Sequence, residues 1–247
     1  MTCKIAVVTG GSLGLGREVA RELVSRGYKV AIFGRSRASL DEAVADLANG
    51  VVGIQADVGD NDSVASAFVQ VDDQLGPVDT LVNAAAMFTP FPIECATPNM
   101  VQPLVQTNFC GAMYCMRESI ARMRKNGGGD IINVSSESVR QSTPFLSVYT
   151  ATKAALESFT TLMGEELREE GIRCAIFRVG RMHSHGAATI QFPVPDLLDR
   201  FIERCQTTGS AYWTGAGMQP ASAAAVLVNL LDTPRDARVE MVEVRSH

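Results

Sequence analysis

Six short runs, Ile5–Val8, Val30–Phe33, Val51–Gln55, Thr80–Asn83, Ile131–Val134 and Arg173–Phe177, are apolar at nearly every position, and longer stretches of helical period separate them. Continuous apolar runs are what strands need when a sheet is covered on both faces. Strands alternating with helices specify a parallel sheet, and right-handed crossovers make it doubly wound. The expected class is therefore α/β: one domain spanning residues 1–247, with about seven strands if Val239–Val244 supplies the last, and helices on both faces.

Helix ends are legible too. Val19, Ala20, Leu23 and Val24 form one apolar face, and Gly27 stands where that helix should stop. Asp60 or Asn61 is placed to cap the third crossover helix. Thr97-Pro98 opens another, Pro103 predicts a kink or restart within it, and Gly127-Gly128-Gly129 ends it. Residues from Gly180 to about Pro220 are too rich in Pro and Gly, and too long, for an ordinary connection. That segment is expected to be a substrate lid.

Charge and cysteine content exclude several classes. There are 22 Lys and Arg against 27 Asp and Glu, a net charge of −5, with the basic residues scattered, so a nucleic-acid partner is not expected. No apolar run approaches the roughly 18 residues of a membrane span, and the start lacks a signal-peptide pattern, so the reading is cytoplasmic. Cys3, Cys95, Cys110, Cys115, Cys174 and Cys205 form no CxxC pair and are read as free thiols.

Thr9-Gly10-Gly11-Ser12-Leu13-Gly14-Leu15-Gly16 follows the first strand and opens the first helix. Unpaired N–H groups and the helix dipole favour a phosphate there, and Gly10, Ser12, Leu13, Gly14 and Gly16 are candidate contacts to a dinucleotide's pyrophosphate. The architecture is then Rossmann-type. At the end of the second strand, Phe33-Gly34-Arg35-Ser36-Arg37 has no acid to hold an adenosine ribose, whereas Arg35, with Ser36 beside it, suits a 2′-phosphate. NADP(H) is favoured over NAD(H).

Tyr149-Thr150-Ala151-Thr152-Lys153 is a Tyr-x-x-x-Lys pair, and Ser136 precedes it at the end of a strand. Lys153 shares a helical face with Tyr149, their Cβ atoms about 5–6 Å apart, so its ammonium is expected to lower the phenol's pKa electrostatically. With the glycine turn, Asp57, Asn83-Ala84-Ala85 and Asn108 in the same order and spacing, the chain resembles the short single-domain branch of the short-chain dehydrogenase/reductase family. That resemblance implies an oxidoreductase that moves hydride between the nicotinamide cofactor and a small-molecule ketone or secondary alcohol. Tyr149 is then the general acid or base and also a cofactor contact, Ser136 a donor to the substrate oxygen, Lys153 also a ligand of the nicotinamide ribose, and Asn108 the support of a water chain. It further places Asp57 and Val58 at the adenine, the Asn83, Ala84 and Ala85 backbone beside the ribose, and Gly180 and Ser184 near the carboxamide. Relatives are commonly dimers or tetramers, and the apolar residues Ala151, Ala154, Ala155 and Leu156 permit a homodimer or homotetramer here. Alternatives are an NAD-dependent alcohol dehydrogenase working oxidatively, a 3-oxoacyl thioester reductase, and a non-catalytic dinucleotide-binding regulator. Gly129-Asp130 and Glu169-Glu170 disfavour an acidic carrier protein, because they put acids where carrier-dependent relatives often have bases.

The chain departs from the family pattern at Ala86, where glycine is usual, at Arg178-Val179-Gly180 in place of Pro-Gly, at Ser184 in place of Thr, and at a C-terminus that lacks a glycine-rich finish. Two views of the substrate stay open. Met87, Phe88, Phe91, Phe145, Met182, Tyr212 and Trp213 could wrap an apolar group, whereas Arg140, Arg178, Arg181, His183 and His185 suit an anionic or polyhydroxylated one. His183 and His185 lack a third ligand nearby, so no metal is expected.

Overall fold

The computed structural model describes residues 3–47, 50–183, 193, 196–208 and 217–246. β1 (Ile5–Thr9) is buried throughout, and its side chains alternate between two cores. Ala6 and Val8 face one, Ile5 and Val7 the other. β2 (Lys29–Gly34) repeats the pattern with Val30 and Ile32 against Ala31 and Phe33. The first core is closed by α1 (Gly14–Ser25), α2 (Arg37–Leu47) and α8 (Pro220–Asn229), the second mainly by α3 (Asn61–Gln74) and α5 (Gly111–Asn126).

β3 (Val51–Gln55), β4 (Thr80–Asn83), β5 (Gly129–Ser136), β6 (Ile172–Val179) and β7 (Met241–Val244) complete a seven-stranded sheet of order β3-β2-β1-β4-β5-β6-β7. Every pairing is parallel. The order reverses between β1 and β4, and in such sheets the crevice beyond the carboxyl ends of those strands is the ligand site. β5 and β6 outrun their apolar runs, because Ser135, Ser136 and Arg178 continue the ladder as polar residues. β7 is shorter than its run.

Asp60 caps α3, its Oδ1 accepting from the N–H groups of Asp62 at 2.9 Å and Ser63 at 3.2 Å. Replacing it with Ala should cost about 1 kcal/mol in a urea titration, with the m-value unchanged.

α4 (Pro98–Val105) does open at Pro98, and the helix widens into a π turn over Gln106–Cys110 before α5. Gly111 follows the widening directly, and a Cβ there would lie 2.8 Å from the Val58 carbonyl oxygen. Gly127 ends α5 in the left-handed conformation, φ 77°. Within 180–220, the described residues include an amphipathic helix, α7 (Leu197–Thr207), which buries Leu197, Phe201 and Cys205. The segment's two ends are stitched together: the His183 N–H donates to Met218 O at 2.8 Å, and the Met218 N–H to Arg181 O at 3.0 Å.

Candidate active site

Beyond the ends of β1 to β4 lies a cleft of about 440 Å³ lined by Gly10, Ser12, Leu13, Gly14, Arg35, Ser36, Asp57, Val58, Ala84, Ala85, Met87 and Phe88, among others. Its floor is held by close backbone contacts. Gly10 has φ 67°, and a Cβ on it would meet Ala85 Cα at 2.9 Å; one on Gly16 would sit 2.3 Å from Gly10 O. Thr9 Oγ1 accepts from both Ala84 N–H and Ala85 N–H at 3.1 Å, fixing the end of β4 to the glycine turn. The N-cap residue of α1, Leu13, makes no side-chain cap, so the first-turn N–H groups have no such acceptor. They remain free for an anion.

Arg37 is engaged with Asp41 and with Gly53 O. Arg35, one of the cleft residues, makes no side-chain hydrogen bond or ion pair among the described residues. Ser36 Oγ accepts from Ser39 N–H at the start of α2. Asp57 Oδ1 takes the Gly59 N–H at 2.9 Å, a local turn contact, while the carboxylate stays in the cleft wall. The Asn83 amide is turned into the sheet, donating to Asn133 Oδ1 at 2.9 Å, so only its backbone can meet a cofactor. Ala86 is exposed with no positive φ, and the expected glycine is not needed.

α6 (Ser147–Glu166) is fastened to the end of β5 along one helical stripe. Asn133 Nδ2 donates to Thr160 Oγ1 at 2.8 Å, Lys153 Nζ to Val134 O at 2.8 Å, and Ser135 Oγ to Glu157 Oε1 at 2.6 Å. Ser136 stands near enough to the Tyr149 hydroxyl to favour its ionised form. Four successive strand residues thus meet Thr160, Lys153, Glu157 and Tyr149, which recur at helical spacing. Neither Glu157 nor Thr160 was singled out from sequence; the available signal was a polar residue on the same stripe as Tyr149 and Lys153.

Tyr149 is buried, and its ring meets Phe88 edge-on at 5.1 Å. Burial pushes the phenol above its ordinary pKa of 10, and Ser136 pulls the other way. The Lys153 ammonium donates to the Val134 carbonyl. Burial lowers Lys153 itself from 10.5 to about 8.

Asn108 sits in the π turn, 1% exposed. Its Oδ1 accepts from Met87 N–H at 2.7 Å, and its Nδ2 donates to Met87 O and Thr152 Oγ1. The Thr152 hydroxyl in turn donates to Tyr149 O at 2.6 Å. Asn108 thereby ties the cleft wall to the Tyr149 turn. Thr152 is a link that sequence reasoning passed over.

Next to Tyr149, Phe201 and Cys205 of α7 pack with Leu146, Phe88 and Phe145. Phe145 has φ 61°, unusual for a bulky residue, and its carbonyl accepts from Phe91 N–H while Arg200 lies 5.6 Å from its ring centroid. The basic residues are differently placed. Arg178 is inside β6, buried and ion-paired to Glu157 and Glu243, so its place among substrate-facing arginines is corrected. Arg140 pairs with Glu243 at 3.0 Å, and the Arg181 N–H donates to Glu137 Oε1. His183 serves the Met218 stitch, and Gly180 N–H donates to Val244 O. Ser184, His185, Tyr212 and Trp213 lie outside the described residues.

The profile of the short chain dehydrogenase family matches residues 4–191. An uncharacterized oxidoreductase of Escherichia coli (strain K12), YgfF, is 36% identical over 74% of this chain and 79% of that protein. The 3-oxoacyl-[acyl-carrier-protein] reductase of Bos taurus is 32% identical over 73% of this chain and 76% of its own. Among solved structures, a short-chain dehydrogenase from Streptomyces avermitilis superposes with a TM-score of 0.85 at 28% identity, covering 98% of this chain and 88% of that one. Fold, cleft and relatives agree, and the chain belongs to the short-chain dehydrogenase/reductase family, oxidoreductases acting on CH–OH and C=O groups.

Proposed function

We propose that this enzyme reduces a small-molecule ketone with NADPH, Tyr149 supplying the proton. One observation carries the reading: Phe88 lines the cleft and also touches the Tyr149 ring, so the phenol stands where the cleft meets the apolar wall of α7. The residues present fit a dinucleotide. Gly14 leaves open space for a pyrophosphate against the first turn of α1, Gly10 and Gly16 let the turn pack tightly beneath it, and Arg35 with the start of α2 offers an uncommitted charge for a 2′-phosphate. Asp57 and Val58 would meet the adenine, and Ala84, Ala85 and Lys153 the riboses. When bound, the nicotinamide supplies the hydride.

The chain's own groups handle the proton. A phenol held above its ordinary pKa is neutral at physiological pH, which suits a donor to the developing alkoxide. Ser136 would hold the substrate oxygen. Lys153 uses one N–H on Val134 O and keeps two donors for a ribose.

Arg35→Glu should raise KM for NADPH by roughly 10- to 100-fold, the worth of a charge-assisted hydrogen bond, and change KM for NADH far less. Equal effects on both would remove the preference for NADP(H).

A second reading, reduction of 3-oxoacyl thioesters, draws on the likeness to the bovine reductase. Against carrier docking, the acids expected to disfavour it are in place, Asp130 at the start of β5 and Glu170 just before β6, paired with Arg173 and Arg235 and with Arg124 respectively. NADPH absorbance followed with a panel of free ketones and acetoacetyl carrier protein separates the two. Turnover of free ketones is expected; rates on the carrier far above theirs would install the second reading, and no oxidation of NADPH by any member would defeat both.

A further inference from the structure

A buried, multiply bonded ion pair lies behind the catalytic helix, not in the cleft. Arg178 reaches from β6 to Glu157 as a two-pronged fork, Nε to Oε1 at 2.9 Å and NH2 to Oε2 at 2.6 Å. Its remaining nitrogen, NH1, meets Glu243 of β7 at 3.0 Å. Both members of the Arg178–Glu157 pair are about nine-tenths buried. Glu157 stands one turn beyond Lys153 on α6, and the Ser135 hydroxyl that also binds it lies between the residues that meet Lys153 and Tyr149.

We propose that Arg178 is a positioning residue for the reaction, neutralising the Glu157 carboxylate so that Lys153, one turn away, has no anionic partner and keeps its ammonium on the Val134 carbonyl and the cleft. An unneutralised Glu157 would attract that ammonium away from the strand end and stabilise its charge. The groups around the pair are few. Glu157 shares α6 with Tyr149 and Lys153; β6 brings Arg178, β7 brings Glu243 and Arg245, the turn after β5 brings Glu137 and Arg140, and α7 brings Cys205 against Tyr149. Glu243 is itself shared by Arg140, Arg178 and Arg245, so the one charge whose neutralisation rests on Arg178 alone is Glu157.

This inference rests on the roles proposed for Tyr149 and Lys153, and its test separates the two. Tyrosinate absorbance in the near ultraviolet, with Tyr149→Phe as the blank, follows the phenol in the cofactor-free protein; the pH profile of kcat for ketone reduction follows it in turnover. Arg178→Met leaves an unpaired carboxylate one turn from Lys153 and should move both midpoints up, by about one pH unit. Glu157→Gln leaves an excess guanidinium and should move both down. The double variant should return near wild type, and Arg178→Lys, which keeps the charge but loses the fork, should keep the midpoint while melting earlier. Should Arg178→Met fold too poorly to titrate, Glu157→Gln and the double variant still decide the matter. Midpoints that do not move, or that shift with the same sign in Arg178→Met and Glu157→Gln, overturn the proposal. If instead Tyr149→Phe retains full turnover, it is the proposed function that fails.

Discussion

Tyr149→Phe is expected to lower kcat/KM for ketone reduction by roughly 10²- to 10⁴-fold, the usual worth of a positioned general acid. NADPH affinity should change little, since the phenol is not among the groups expected to hold the cofactor's phosphates. The substitution is conservative for the fold. The edge-on contact with Phe88 and the packing against Leu146, Phe201 and Cys205 belong to the ring, which Phe keeps. What goes is one buried hydroxyl beside Ser136, a loss of about 1 kcal/mol in stability. Turnover and melting are therefore cleanly separable at this position. Stopped assays at saturating NADPH, with melting curves on the same samples, supply both numbers. A variant with wild-type turnover would leave the chain a family member whose proton comes from elsewhere, and a variant that loses NADPH binding as well as rate would show that the hydroxyl shapes the cleft instead of serving the substrate.

The sheet was readable from sequence because its strands bury both faces, and two-sided burial writes itself as uninterrupted apolar runs such as Val30–Phe33. The ends of β5 and β6 were not readable that way. Ser135 and Arg178 are polar, yet they sit in the ladder because Glu157 of α6 satisfies them, a partner more than twenty residues away from either. Local pattern has no access to such complements. The same gap explains the arginines. Arg35 and Arg178 both stand near strand ends, and nothing in their neighbourhoods distinguishes an uncommitted guanidinium in the cleft from one locked between Glu157 and Glu243.

Helical spacing correctly put Lys153 and Tyr149 on one face, but spacing sets where side chains begin and not where they end. The Lys153 ammonium finds the Val134 carbonyl on the strand, and burial then governs both groups. Pro103 announced an irregular helix, while the widening itself comes at Gln106–Cys110, next to the close approach of Gly111 to Val58. That contact brings together α5 and the segment after β3. It is also what makes Asn108 hard to read: its sequence context is an ordinary helix, and its use as a clamp on Met87 and Thr152 belongs to the π turn.

Lys153→Met is expected to stabilise the cofactor-free protein at pH 7 by about 2 kcal/mol while removing its catalytic competence. The sign follows from proton counting. Burial lowers Lys153 from 10.5 to about 8, so between those values the unfolded chain binds a proton that the folded chain has released. Stability contributed by this group therefore rises with pH from about 8 to 10.5. Below about 8 the folded state carries a buried charge at a cost near 3 kcal/mol, the worth of that depression. Methionine fills similar volume without the charge and so escapes the cost, but it forfeits the hydrogen bond to Val134 O, about 1 kcal/mol. At pH 7 the first effect wins. Above 10.5 only the second remains, and the wild type should become the more stable protein by about 1 kcal/mol. Urea titrations of both proteins from pH 7 to 11 test this as a difference, in which the tyrosines and cysteines common to both largely cancel. The curve of wild type minus variant must cross zero between about 8 and 10.5. A flat difference would mean that the folded protein hydrates this ammonium as well as water does, and the depression that makes Lys153 a ready partner for a ribose and a phenol would have to be abandoned.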